Sequence, residues 1–286
     1  MNTINYKTIN IEGVNIFYRE AGNPNHPTIL LLHGFPSSSH MYRDLIRDLA
    51  DRYYLIAPDY PGFGNSDMPA STEYQYTFDN ISVTIEKFID TIGLRKFSLF
   101  MQDYGAPVGY RIILRRPELL QALLIQNGNA YLEGLGPATE DGKRFWANRN
   151  PETEGAMRNM LSLAGTKMQY VEGAEDVTRI SPDTWHYDQH FLDRPGNKEI
   201  QLDLLYDYQN NLKQYPAWQK FLRDHQPPAL ITWGKNDSLF TGNGAVAYKQ
   251  DLPNAQLHLL NSGHFALEEF HSEVAVLIDD FLKNLK

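Results

Sequence analysis

The stretch Lys96-Phe97-Ser98-Leu99-Phe100-Met101-Gln102-Asp103-Tyr104-Gly105-Ala106 decides how this chain is read. It opens as a short apolar run and closes on a carboxylate followed by small residues, and residues 107–116 go on with a helical pattern. A strand that turns sharply into a helix, with a reactive side chain in the turn, has the geometry of a nucleophile elbow. The turn leaves that side chain clear at the end of the sheet, and the helix N-terminus favours negative charge beside it. A carboxylate placed there can attack an electrophilic carbon and leave an alkyl ester, which water must then hydrolyse.

Outward from the elbow, the first half of the chain alternates strands and helices. Apolar strands are expected at residues 14–19, 28–32, 53–57, 97–101 and 123–126, with helical stretches near 41–50, 78–92 and 108–115 between them. The pattern returns at 229–233, 244–251, 256–260 and 268–285. Continuous apolar strands separated by amphipathic helices imply a mostly parallel, twisted sheet covered on both faces. Residues 131–215 lack a comparable strand, while 152–163 and 199–212 look helical and are joined by Gly- and Pro-containing turns. The expectation is a helical cap inserted after the strand ending near residue 126, with residues 1–130 and 216–286 forming the core.

Bulk properties narrow the function. With 286 residues and 42 % hydrophobic composition, one α/β domain with an insertion has material for a substantial core. A net charge of −9 without a basic run argues against a nucleic-acid partner. The chain has no cysteine, which excludes disulfides and thiolate metal sites, and no motif asks for a metal or another cofactor. The first residues lack the apolar core of a signal peptide, and no stretch approaches the length of a membrane span. A cytoplasmic monomer or homodimer acting on a small molecule, away from membranes, is the expectation.

Three reactive positions follow in the order Asp103, Asp237, His264, each just after an expected strand. Sheets of this type gather ligands at the carboxyl ends of their strands. In this arrangement Asp237 orients the imidazole and stabilises its charged form, while His264 activates water. At the end of strand 28–32 stands His33-Gly34-Phe35-Pro36. A tight turn there can aim the backbone N–H of Phe35 into the site beside that of Tyr104, as an oxyanion hole worth about 2.7–4 kcal/mol per donor. His33 is expected to organise this loop, and the isomer of the Phe35-Pro36 bond is left open. Downstream, Asp59-Tyr60-Pro61-Gly62-Phe63-Gly64-Asn65-Ser66 forms a Gly-rich loop.

The elbow, the acid, the histidine and the oxyanion turn together resemble the α/β-hydrolase superfamily over almost the whole chain. The segment Gln102-Asp103-Tyr104-Gly105 is similar to the aspartate-nucleophile branch, which holds epoxide hydrolases, haloalkane dehalogenases and dehalogenases of the fluoroacetate type. Met101 departs from the small residue usual two positions before the nucleophile. Some dehalogenases carry their acid after the strand that here ends near Asn127, but this chain has Gln126, Asn127 and Asn129 there and no carboxylate until Glu133. Asp237 is therefore taken as the acid.

The resemblance also frames the leaving group. Haloalkane dehalogenases hold halide with an indole after the nucleophile and a side-chain amide or second indole; this chain has Tyr104 and Phe35 at the matching places. Fluoroacetate-type enzymes place arginines just after the nucleophile, where this chain has Tyr104 and Pro107. Epoxide hydrolases protonate the departing alkoxide with phenols from the cap. Asp207-Tyr208-Gln209-Asn210 is similar to the Tyr-Arg-Asn segment that carries one of them, with Gln209 in place of Arg. Tyr131, Tyr170 and Tyr187 stay open as the second phenol, and Trp146 and Trp185 as cap indoles able to hold halide. The resemblance thus implies an epoxide hydrolase first and a haloalkane dehalogenase as the alternative, each taking a small apolar electrophile and water. A non-catalytic small-molecule receptor on the same scaffold is the further alternative.

Overall fold

The computed structural model describes residues 3–285. Its strands are β1 (Asn5–Ile11), β2 (Val14–Ala21), β3 (Thr28–Leu32), β4 (Tyr54–Pro58), β5 (Phe97–Gln102), β6 (Leu120–Gln126), β7 (Ala229–Gly234) and β8 (Gln256–Leu260). They form one 8-stranded sheet in the order β1-β2-β4-β3-β5-β6-β7-β8. From β4 to β8 every pairing is parallel, and only the β1–β2 and β2–β4 pairings are antiparallel. All six residues of β5 and all six of β7 are buried. Strands covered on both faces have no solvent side, which is why they read as unbroken apolar runs.

The β1 strand was not expected from the sequence. Five of its seven residues are exposed, so neither face carries an apolar stripe. It forms by pairing with β2 through a tight turn at Glu12 and Gly13, whose φ values of +49° and +94° match the twist of a hairpin.

Helices α1 (Arg43–Leu49) and α11 (Leu267–Lys283) cover one face of the sheet, where Leu45, Ile46 and Leu49 join Val274, Ile278 and Phe281 in a common core. The other face receives α2 (Phe78–Thr91), α3 (Gly105–Arg115) and α10 (Gly242–Asp251), with Ile81, Ile85, Ile112 and Ala245 inside. Thr77 starts α2 as an N-cap, its hydroxyl accepting from Asn80 N–H.

Between β6 and β7 the chain forms α4 (Glu140–Ala147), α5 (Pro151–Met160), α6 (Leu163–Val171), α7 (Pro182–Leu192), α8 (Asn197–Asp207) and α9 (Gln209–His225). The helix expected over 199–212 is broken at Tyr208, where α8 gives way to α9. Residue 215, the expected end of the insertion, lies inside α9, which continues to His225, with residues 226–228 leading on to β7 at Ala229. Several hydrogen bonds fasten this region beside the sheet edge, among them two from the helices under the site. Arg111 on α3 donates to Asn211 Oδ1 at 2.8 Å, and the Phe78 N–H donates to Asp207 Oδ2 at 2.9 Å.

Candidate active site

The strand β5 ends at Gln102, and α3 begins at Gly105. Asp103 takes φ +46°, the left-handed conformation that non-glycine residues adopt only where the surroundings impose it. The bulk of Met101 is accommodated across the elbow: a Cβ at Gly109 would overlap the Met101 sulfur, so glycine there makes the room. Asp103 Oδ2 accepts the Phe35 N–H at 2.6 Å, and the neighbouring Tyr104 N–H also favours the charged carboxylate. The turn that aims Phe35 contains a cis Phe35-Pro36 bond. Burial pushes the Asp103 carboxyl up to about 6, against the opposing pull of His264 and the two N–H donors.

His33 lies under this turn, fully buried and stacked on Tyr60 with ring centroids 4.0 Å apart. Its Nε2 accepts the Tyr60 N–H at 3.2 Å, so Nδ1 carries the proton and donates to Gly34 O at 3.0 Å. Burial lowers its pKa to about 3, and it ties the turn to the Gly-rich loop as a neutral ring. That loop is anchored by Asp59, which accepts from Ser39 N–H at 2.7 Å and Asn65 N–H at 2.8 Å.

Asp237 follows β7 and His264 follows β8, and the two meet beside Asp103 with His264 Nδ1 2.7 Å from Asp237 Oδ2. A carboxylate only accepts, so Nδ1 carries the proton and Nε2 presents its lone pair. Asp237 Oδ1 takes the N–H groups of Leu239 at 2.8 Å and Phe240 at 3.1 Å, while Asn127 Nδ2 donates to Oδ2 at 2.7 Å. Asn127 sits in the left-handed region at φ +45° and also accepts the Gly234 N–H at 2.9 Å. The strand end that might have carried an acid thus carries an amide that holds Asp237 in place. Burial alone would lower the pKa of His264, but Asp237, with Asp103 behind it, more than reverses that and raises it.

Above Asp103 opens a cavity of about 70 Å³ whose lining includes Phe35, Tyr104, Trp146, Met157, Tyr208 and Phe240. Its walls are mostly apolar rings and thioethers, the form of a site for a small, uncharged molecule. A second pocket of about 10 Å³, room for one water, touches both His264 and Asp237.

A model of the α/β-hydrolase fold matches residues 27–270. The chain belongs to the α/β-hydrolase fold family. It is 42 % identical to an uncharacterized hydrolase of Saccharomyces cerevisiae over 265 residues, covering 90 % of this chain and 89 % of the yeast protein. It is 23 % identical to epoxide hydrolase 2 of Caenorhabditis elegans, covering 97 % of this chain and 80 % of that protein. Among solved structures, a loop variant of a haloalkane dehalogenase from Bradyrhizobium elkanii superposes with a TM-score of 0.79 at 20 % identity, covering 98 % of each chain. That last likeness is one of fold.

Within this α/β-hydrolase, the residues expected at the leaving-group side fare differently. Tyr208 lines the cavity, stacked on Trp146 at 5.7 Å. Trp146 also lines it, but its indole N–H is already donated to Leu205 O at 2.7 Å and does not face a ligand. Trp185 is not among the residues lining the cavity; it packs within the inserted helices on Tyr170 of α6, with Lys167 above its ring. The three open phenols are engaged elsewhere: Tyr131 donates to Asp251 at 2.6 Å, Tyr170 donates to Asp188, and Tyr187 accepts from Asn65 at 2.9 Å. The phenol beside Tyr208 is instead Tyr215, with the two hydroxyls 3.5 Å apart and Asn129 Nδ2 donating to Tyr215 at 3.2 Å. Seven residues separate them in sequence, a spacing that returns to one side of a helix, and that was the available signal. Gln102 and Asn127 were also not singled out as site residues; their roles rest on contacts with partners 162 and 110 positions away.

Proposed function

We propose that this α/β-hydrolase is an epoxide hydrolase that works through an alkyl ester of Asp103. What carries the reading is the pairing of a buried carboxylate, its Oδ2 held by the Phe35 N–H at 2.6 Å, with the Tyr208 phenol on the same apolar cavity. With Oδ2 held by the Phe35 N–H, the other oxygen of Asp103 is the one to attack a ring carbon. The C–O bond of the epoxide breaks, and the alkoxide takes the proton of Tyr208. If Asn129 donates to Tyr215 and Tyr215 to Tyr208, the Tyr208 proton points into the cavity, and the same chain steadies the phenolate that remains.

The second half uses His264. Its Nε2 takes a proton from water, and the hydroxide adds to the ester carbon of Asp103. The negative charge that forms lies on the oxygen already held by the Phe35 N–H, where such a donor stabilises a transition state most. Collapse expels the diol, restores the carboxylate and returns the imidazolium proton to the phenolate, so one epoxide and one water give one diol.

The haloalkane reading has less support, because the Trp146 N–H is spent on Leu205 O and Trp185 lies off the cavity. The test is His264→Gln, mixed with a small aliphatic epoxide. Asp103 is expected to gain the mass of the intact epoxide, one per chain, because attack survives and hydrolysis loses its base. Full turnover by that variant would sink the mechanism. Adduct formation with a bromoalkane, but not with an epoxide, would transfer the assignment to a dehalogenase.

A further inference from the structure

The proton-accepting nitrogen of His264 does not face an empty site. Gln102, the last residue of β5, places its Nε2 3.1 Å from His264 Nε2 and 3.5 Å from His264 O. The contact with a carbonyl oxygen fixes which end of the amide is the donor. Gln102 is fully buried, and its other end, Oε1, has no hydrogen-bond partner. That oxygen rests over Gly34, where any Cβ would overlap it. The side chain is thus confined between the oxyanion turn and the imidazole, with one donor engaged and one acceptor idle.

Such an arrangement has a use only if the ring changes state. A neutral imidazole protonated at Nδ1 needs a donor at Nε2, and the amide NH₂ supplies it. Once His264 has taken a proton from water, Nε2 carries a hydrogen and needs an acceptor. A half-turn of the same amide presents Oε1. We infer that Gln102 is a positioning residue for His264: its NH₂ occupies the Nε2 lone pair at rest until water displaces it, and its Oε1 receives the Nε2–H while the ring carries the proton taken from water. The inference rests on His264 acting as the base.

The physical consequence is a bias on the ring. A donor at Nε2 stabilises the neutral form, so its removal raises the affinity of His264 for a proton. The charged groups facing the ring are Asp237 and Asp103, with Glu172 across the small pocket, and the rings of Phe240 and Phe265 close the remaining sides. None of these changes when Gln102 is replaced by an unbranched apolar side chain.

The experiment is an NMR titration of ¹⁵N-histidine-labelled protein, with His264 assigned by its loss in His264→Gln. Gln102→Met should raise the His264 pKa by about 0.4–1 pH unit, the size of one net hydrogen bond. Gln102→Glu, which puts a charge in the same volume, should raise it further. In the wild-type protein the Gln102 side-chain NH₂ signal should shift with the same midpoint as the ring. A folded Gln102→Met protein with an unmoved His264 pKa overturns the inference. So does a wild-type Gln102 signal that ignores the titration, a result available even if both variants fail to fold. Rates of adduct hydrolysis give the kinetic counterpart: their acid limb should move upward with the ring while the alkylation step keeps its profile. Absence of epoxide turnover would refute the proposed function and leave the NMR result to decide Gln102.

Discussion

The sheet edge and the helices above it hold their side chains by different means. At the edge, Asp237 takes donors from Leu239, Phe240, Asn127 and His264, and the Phe35 N–H pins Asp103. Each of these groups lies on a loop that leaves the carboxyl end of a sheet strand. On the helical side, Tyr208 is held by stacking on Trp146 and by one long contact to Tyr215, and Met157 is one of the flexible side chains beside them. Directional bonds at the edge set where atoms react. The apolar contacts opposite set what fits.

Substitutions at the edge should therefore remove chemistry, and those above it should reduce it. Asp103→Asn is expected to give the largest effect, a loss of about 10⁴-fold or more in turnover, since it removes the attacking oxygen at nearly constant volume. Mass spectrometry has to exclude deamidation back to aspartate. The melting temperature should not fall, because the variant no longer buries a charge. A marked drop in melting temperature would make Asp103 structural and break the contrast.

Tyr208→Phe should slow alkylation by an epoxide about 10²-fold, with packing preserved, as measured by rapid quench. Tyr215→Phe should cost less, and Trp146→Phe should leave a bromoalkane rate unchanged, since its N–H belongs to Leu205. A bromoalkane rate that collapses in Trp146→Phe would bring the helices into the chemistry and favour dehalogenation.

The smallest expected effect is one of pH. In the proposed mechanism the attacking species is the carboxylate, and burial has moved Asp103 up to about 6. Alkylation should accordingly be half-maximal near that pH and fall about tenfold per unit below it. The linked effect on stability has the opposite sense: between its ordinary value and about 6 the folded protein binds more protons at Asp103 than the unfolded chain. This carboxyl thus makes the fold less stable as pH rises through that window. Asp103→Asn should abolish this dependence, as denaturant midpoints across the range will register. An alkylation limb near the ordinary carboxylate range would mean that Asp103 is open to water.

How much of this was legible followed the same division. Strands β3 to β7 could be read because burial on both faces writes itself as apolar runs, and Asp103 and Asp237 because each follows such a run; β8 is half open to solvent, and His264 was found through the short apolar stretch before it. The β1 strand was hidden because its exposed side chains carry no pattern. Asn127 and Gln102 were hidden for another reason, since an amide declares its role only through a partner brought close by folding. The inserted helices were the least readable part. Their aromatic residues look alike in sequence, so Trp185 and Trp146 were weighed equally although the structure places them in different cores.

The methionines bordering the cavity, Met157 and Met160, carry a further meaning. Thioether side chains are unbranched and adjust to many shapes at little cost. A change at either position would resize the chamber while leaving every bond at the sheet edge untouched. Under the proposed function, one codon in α5 would thus be enough to change which molecules fit, without touching the groups proposed to transform them.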